Sequence, residues 1–249
     1  MKNSFIFIPA RYASSRFPAK PLANINGKPM IQYVFESCHQ ACDQTYVVTD
    51  SLEIEEAVKT FGGNVLRVDD DVANGSERIL VALGRFGDEL GIKEDSLILN
   101  VQGDEPLMEA SIIKDLLNFH RNNFHFDIVT IAKKQLVIDE NFYGSDVVKL
   151  VKTLKGECLY FSRAPIPHGR DSKIDFWWQH IGVYSYKLES LKSIMKLPAS
   201  RIEQLECLEQ MRALENGYKI GAVETEVNLI GVDTPADLIK VENVLKEKI

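Results

Sequence analysis

Residues 5–30, FIFIPARYASSRFPAKPLANINGKPM, decide how the rest of the chain reads. Phe5-Ile6-Phe7-Ile8 is a continuous apolar run, the pattern of a strand buried on both faces. Pro9 is expected to end it, because proline brings no N–H to a ladder. A polar loop follows, carrying Arg11, Ser14, Ser15, Arg16 and Lys20, and helical periodicity resumes only after Pro29. These cations and hydroxyls sit just past the carboxyl end of the first strand, the edge on which open α/β sheets bind ligands. Arginine offers a planar fork of donors, lysine a mobile point charge and serine a short donor, so the set suits a polyphosphate. A solvated basic loop is the alternative; the Arg-x-x-x-x-Arg-x-x-x-Lys array directly after a buried strand favours binding. The stretch holds no G-x-x-x-x-G-K-[ST] and no G-x-G-x-x-G, which excludes a P-loop and the dinucleotide fingerprint.

Working outward, apolar spacing predicts a helix over 31–42, a strand over 45–50, a helix over 52–61 stopped by Gly62-Gly63, and a strand over 64–68. This β-α-β-α-β rhythm argues for a parallel wound sheet. A helix over 79–86, a strand over 97–101 and a helix over 110–122 continue it. Strands over 126–132, 147–151 and 158–161, and one ending the stretch 176–186, are expected to turn the sheet partly antiparallel. Residues 202–216 read as the clearest helix, ended by Gly217. A strand over 220–223 and a C-terminal helix after Asp233 close the chain. The fold class is therefore α/β, a wound mixed and mainly parallel sheet flanked by helices.

Several polar residues stand at strand ends. Asn74 or Ser76 can cap the helix that follows, with Glu77 favoured near its positive end. Asp104, past the strand over 97–101, faces the ligand edge, where a lone carboxylate beside a polyphosphate suits Mg²⁺; an acidic helix start is the alternative. Asp69-Asp70-Asp71 reads as a solvated turn rather than a metal site. Arg163 could grip a carboxylate in a fork, or make an ordinary salt bridge. Asp233 reads as an N-cap, with Pro235 early in its helix.

At 249 residues, 45% hydrophobic and 26% charged, the chain has room for one α/β domain with an inserted lobe. A net charge of −7 disfavours nucleic-acid binding. No apolar run approaches a membrane span, and no signal-peptide h-region precedes the first strand, so a cytoplasmic location without membrane insertion is expected. Cys38, Cys42, Cys158 and Cys207 are expected as thiols, mostly in the core or at its boundary.

The stretch PARYASSRFPAKPLANINGKPM resembles the nucleotide loop of sugar-activating nucleotidylyltransferases, most closely the cytidylyltransferases that make CMP-Kdo (CMP-3-deoxy-manno-octulosonate). Ala19 stands where that family commonly has Gly. NVQGDEP, FSRAPIP, HIGVY, LEQMRAL and GVDTPAD follow in the family's order, so the resemblance covers essentially the whole chain. It implies a nucleotide-diphospho-sugar transferase-like fold, with a nucleotide part over about 1–132, an acceptor-sugar and dimerisation part over about 133–220, and a return to the core over about 221–249. It implies catalysis by Arg11, Lys20 and Asp104. Nucleotide contacts fall to Ala10, Arg11, Ser14, Arg16 and Lys20, with Ser76 and Arg78 near cytosine and Gln102 near base or ribose. Arg163, His180, Glu209 and Gln210 would seat the sugar acid, and Asp233 would join Asp104 as the second Mg²⁺ carboxylate. The implied reaction is CTP plus Kdo giving CMP-Kdo and diphosphate, for lipopolysaccharide biosynthesis, by a homodimer.

Departures from the family wording fall in the acceptor half: Phe142-Tyr143-Gly144-Ser145-Asp146, Ser200-Arg201-Ile202-Glu203, and Gln179 before the His. They leave 8-amino-Kdo or another keto-sugar acid open as acceptor. A glycosyltransferase, which would need Asp69 to Asp71, and a nucleotide sensor are the other readings.

Overall fold

β1 (Ser4–Ala10) carries Ile6, Phe7 and Ile8 at 0% exposure. The computed structural model describes residues 3–13 and 17–247, so Ser14, Ser15 and Arg16 lie outside the described residues. The chain divides into two units, Met1–Lys114 with Asn228–Ile249, and Asp115–Val227. In the first, β1 leads to the hairpin β2 (Asn24–Ile25) and β3 (Lys28–Pro29), then α1 (Met30–Ala41), β4 (Thr45–Thr49), α2 (Leu52–Thr60), β5 (Val65–Arg67), α3 (Gly75–Phe86) and β6 (Leu97–Asn100). Its sheet runs β6-β1-β4-β5 with every pairing parallel.

Pro9 does not end β1. It pairs in register with Val48 of β4, and the strand continues to Ala10. Pairing to β6 stops at Phe7, so at Pro9 one flank of β1 has no partner strand and a missing N–H is tolerated. The hairpin β2–β3 is a second departure from the expected unbroken loop. Asn26 and Gly27 both take positive φ (48° and 91°), as a two-residue turn of mirror-image type demands, and Asn24 Oδ1 accepts from Gly27 N at 2.9 Å. The turn buries Ile25 completely. α3 begins four residues earlier than its apolar spacing indicated, because Asn74 Oδ1 accepts from Glu77 N (2.9 Å) and Glu77 returns a bond from Ala73 N (2.8 Å).

α4 (Ala110–Asn122) carries the chain into the second unit, which holds β7 (Ile128–Gln135), α5 (Glu140–Tyr143), β8 (Lys149–Lys152), β9 (Cys158–Ser162), β10 (Trp177–Lys187), α6 (Leu188–Ile194), α7 (Arg201–Glu206), α8 (Gln210–Glu215) and β11 (Ile220–Thr225). β7 pairs parallel with β11 and antiparallel with β10, which pairs antiparallel with β8, and β8 with β9. The expected turn to antiparallel pairing is present. Trp177, Phe161 and Phe126 fill the core of this unit. α9 (Pro235–Glu247) returns to the first unit.

The long helix expected over 202–216 is two short ones. Cys207 stands between α7 and α8 in the left-handed region (φ 51°, ψ 50°). Its carbonyl and that of Glu206 turn to Arg163, whose Nη2 and Nε donate to them at 3.3 and 2.8 Å. The Glu206 carboxylate accepts from Ser162 Oγ (2.7 Å) and Arg163 N (2.9 Å). A charged partner on the helix terminus thus outweighs the apolar period that runs through it. Cys38, Cys42 and Cys158 are buried and Cys207 is exposed.

Candidate active site

The carboxyl end of β1 is a meeting point of loops. A Cβ on Gly75 would lie 2.8 Å from Pro9 Cγ, and one on Gly103 would lie 3.2 Å from Pro9 O. Glycine at both positions lets the start of α3 and the Gln102–Glu105 turn close onto the β1 terminus. Ala10 is buried there and Arg11 is exposed.

Lys20 opens a one-turn 3₁₀ helix, preceded by Ala19 in the left-handed region (φ 54°). Its ammonium bridges Asp104 Oδ2 at 2.6 Å and Asp233 Oδ1 at 3.2 Å. The Asp104 carbonyl accepts from Val232 N at 2.9 Å, which ties the two carboxylate-bearing loops together. Asp233 is not the helix cap expected for it. Thr234 takes that role, its Oγ1 accepting from Asp237 N (3.3 Å) while Asp237 Oδ2 accepts from Thr234 N (3.1 Å). Glu105 stands beside the pair, its Oε2 buried without a hydrogen-bond partner among the described residues. A Cβ on Gly231 would meet Glu105 Oε1 at 3.2 Å, a tight contact, so glycine there eases the close approach of this loop to Glu105. Burial, and then the carboxylates of Asp104 and Asp233, push the Glu105 carboxyl up to about 8. Hard oxygen donors gathered round an ammonium fit a small divalent cation such as Mg²⁺.

Ser76, Asn100 and Gln102 form a chain: Asn100 Nδ2 donates to Ser76 Oγ (3.3 Å) and Gln102 Nε2 to Asn100 Oδ1 (3.1 Å). Arg78 is buried and braces the ends of β4 and β5, with Nη2 on Asp50 Oδ2 (2.7 Å) and Nη1 on Val68 O (2.6 Å). Of the acidic run, Asp69 pairs with Arg67 and Asp70 with Arg85.

In the second unit, Arg163 commits three of its donors to backbone carbonyls, those of Glu206, Cys207 and Ser145 (2.9 Å for the last). It therefore holds the break before α8, three residues ahead of Gln210. His180 Nε2 donates to Thr130 Oγ1 at 3.0 Å, and that hydroxyl also reaches the carbonyls of Ile181 and Val183 at the β10 register shift. The His180 ring packs on Phe161 and Tyr184. Tyr184 OH donates to Gln210 Oε1 at 3.1 Å, so His180 and Gln210 share one cluster, in which Gln210 Nε2 is buried without a hydrogen-bond partner among the described residues. Glu209 is the residue just before α8.

A profile of the cytidylyltransferase family matches residues 5–220. The chain belongs to this family. It is 40% identical to a 3-deoxy-manno-octulosonate cytidylyltransferase of Thermodesulfovibrio yellowstonii, over 96% of each chain. It is 43% identical to an 8-amino-3,8-dideoxy-manno-octulosonate cytidylyltransferase of Shewanella sp. strain ANA-3, over 98% of each. Among solved structures, a CMP:2-keto-3-deoxy-manno-octonic acid synthetase complexed with CTP superposes with a TM-score of 0.91 at 34% identity, covering 100% of both chains. The fold is thus the mixed, mainly parallel α/β fold of a nucleotidyltransferase. No helix among the described residues is long and apolar enough to cross a membrane.

Two residues of this cytidylyltransferase escaped the reading of its sequence. Glu105 sits in the same turn as Asp104, and only the fold shows its carboxyl turned inward. Lys149 reads as one cation in a strand, yet it is 0% exposed and donates to three carbonyls, of Gly144 (2.8 Å), Val147 (2.7 Å) and Arg163 (2.5 Å).

Two buried histidines are expected to weaken the fold in acid. His120 lies between Ser185 Oγ (2.8 Å) and Phe126 O (3.2 Å), partners that suit a neutral ring. Burial lowers His120 to about 4 and His180 to about 3, from an ordinary 6.5. As pH falls below 6.5 the unfolded chain takes up protons that the folded chain refuses. Stability is therefore present above that pH and is lost on the way down. Each ring contributes on the order of 2 kcal/mol between pH 6.5 and 5. Urea midpoints are expected to fall from pH 7.5 to 5, and less so in His120→Gln; equal midpoints at both pH values in the parent would contradict this.

Proposed function

We propose that the chain transfers the cytidylyl group of CTP to Kdo, giving CMP-Kdo and diphosphate. The observation that carries this is the convergence of Lys20, Asp104 and Asp233 past the carboxyl end of β1, in a chain matched along its full length to a CMP-Kdo-type synthetase complexed with CTP. Under this reading the enzyme is cytoplasmic, works as a homodimer and serves lipopolysaccharide biosynthesis.

Arg11, Ser14, Arg16 and Lys20, with the backbone at Ala10, hold the triphosphate and neutralise the leaving diphosphate. Ser76 and Gln102 contact the cytidine, and Arg78 braces the wall beside it by its grip on Asp50 and Val68. Asp104 and Asp233 would hold Mg²⁺, which when bound neutralises charge at the α-phosphate and lowers the pKa of the attacking hydroxyl. His180, Glu209 and Gln210 orient the sugar acid. Arg163 joins them and also fixes the backbone that carries Gln210. The anomeric 2-hydroxyl oxygen of Kdo loses its proton to solvent and forms the new bond to the α-phosphorus as the bond to the diphosphate oxygen breaks. Catalysis is by positioning and charge neutralisation, with no covalent enzyme intermediate.

A second reading, 8-amino-Kdo as the acceptor, is favoured by the relatives that are 43% identical. Diphosphate release across CTP, UTP, ATP and GTP, each with Kdo or 8-amino-Kdo, tests both. Release with CTP and Kdo is expected. Release with the amino sugar alone moves the acceptor, and binding of CTP without release from any pair turns the protein into a sensor.

A further inference from the structure

The cation position is filled by the chain itself. Lys20 Nζ lies within contact distance of both Asp104 and Asp233, and its side chain is 14% exposed. A divalent ion shared by those two carboxylates would need the same space, and would repel an ammonium left there.

We infer that Lys20 stands in for the divalent cation when none is bound, and that cation binding drives its ammonium off Asp104 and Asp233 toward the nucleotide phosphates. This rests on the metal and triphosphate roles proposed above and goes beyond them, because it makes one side chain the link between the two ligands. The backbone at Lys20 is pinned: Ala19 N donates to Tyr12 O (3.0 Å), Leu22 N to Ala19 O (2.8 Å), and Pro21 follows. The change is therefore a swing of the side chain. Without nucleotide the ammonium competes with the cation for the carboxylates. With nucleotide the ammonium has another partner, and the competition is relieved. Cation and nucleotide then favour each other, and by linkage the effect is reciprocal.

The test is Mn²⁺ binding by calorimetry to the full chain without nucleotide, for the parent, Lys20→Met and Asp104→Asn. Lys20→Met removes the competitor and nearly keeps the shape, so Mn²⁺ is expected to bind it about tenfold tighter than the parent. In chelator the Lys20→Met protein is expected to melt lower than the parent, and Mn²⁺ to raise its midpoint by more. Lys20→Gln serves if the Met variant fails to fold. Equal or weaker Mn²⁺ binding after loss of Lys20 would overturn the stand-in role, while the metal reading survives if Asp104→Asn still abolishes binding to the parent. Mn²⁺ binding that is absent throughout, or indifferent to Asp104→Asn, would overturn both.

Discussion

Asp104→Asn is expected to lower kcat/KM for cytidylyl transfer by about 10³-fold while leaving the fold intact, on the scale seen when a preorganised electrostatic partner is removed at a site of charge development. Asn keeps the size of the side chain and the Asp104 carbonyl bond from Val232 N, so the loop geometry has no reason to change. What is lost is the charge that meets Lys20 at 2.6 Å and that would meet Mg²⁺. The ion pair is partly exposed, with the Asp104 side chain 32% accessible, so its loss alters stability by no more than about 1 kcal/mol. Steady-state rates read beside a thermal melt separate the two effects. Activity within tenfold of the parent, with an unchanged melt, would remove Asp104 from the chemistry.

The second large effect concerns stability. Lys149→Met is expected to destabilise the protein by about 4 kcal/mol, because a buried ammonium that satisfies several carbonyls is replaced by a group that satisfies none. Those carbonyls belong to Gly144, Val147 and Arg163, so one side chain ties the turn after α5 to the end of β9. Burial lowers the Lys149 pKa, with Arg163 adding to it, and the carbonyl cage offsets that desolvation. The loss should also raise KM for the sugar acid more than for CTP, since Arg163 anchors the backbone leading to Gln210. Urea unfolding and the two KM values check this. A stability change under about 1 kcal/mol would show that the carbonyls find other donors.

Much of the first unit was legible because its signals are local. A buried apolar run, a basic loop and alternating helices and strands each announce themselves within a few residues, and β1, β4, β5 and β6 lie where those patterns put them. The β2–β3 hairpin was missed: Asn26-Gly27 is a strong short-range turn signal, but the stretch around it reads as one polar loop. The break at Cys207 was not legible. Its cause is Arg163, which stands 44 positions away in sequence. The apolar stripe of residues 202–216 is continuous, and only the fold brings a guanidinium to the carbonyls of Glu206 and Cys207.

The site follows the same division. Lys20 and Asp104 could be singled out from strand-end chemistry alone. Asp233 could not, because its local sequence describes a helix cap and its partner Lys20 is 213 positions away. Thr234 takes the cap, so one short loop serves both structure and charge. Glu105 shows the limit of motif reading. In sequence it is one more acid after Asp104, and in the fold it is a carboxyl enclosed beside two others.

The measurement that bears most directly on the account is ³¹P NMR of the purified chain with Mg²⁺, CTP and Kdo. Diphosphate and a CMP-sugar phosphodiester are expected to appear in equimolar amounts, both strictly dependent on the sugar acid. CTP left intact with Kdo and with its 8-amino analogue, or CTP consumed at the same rate without any sugar, would contradict it.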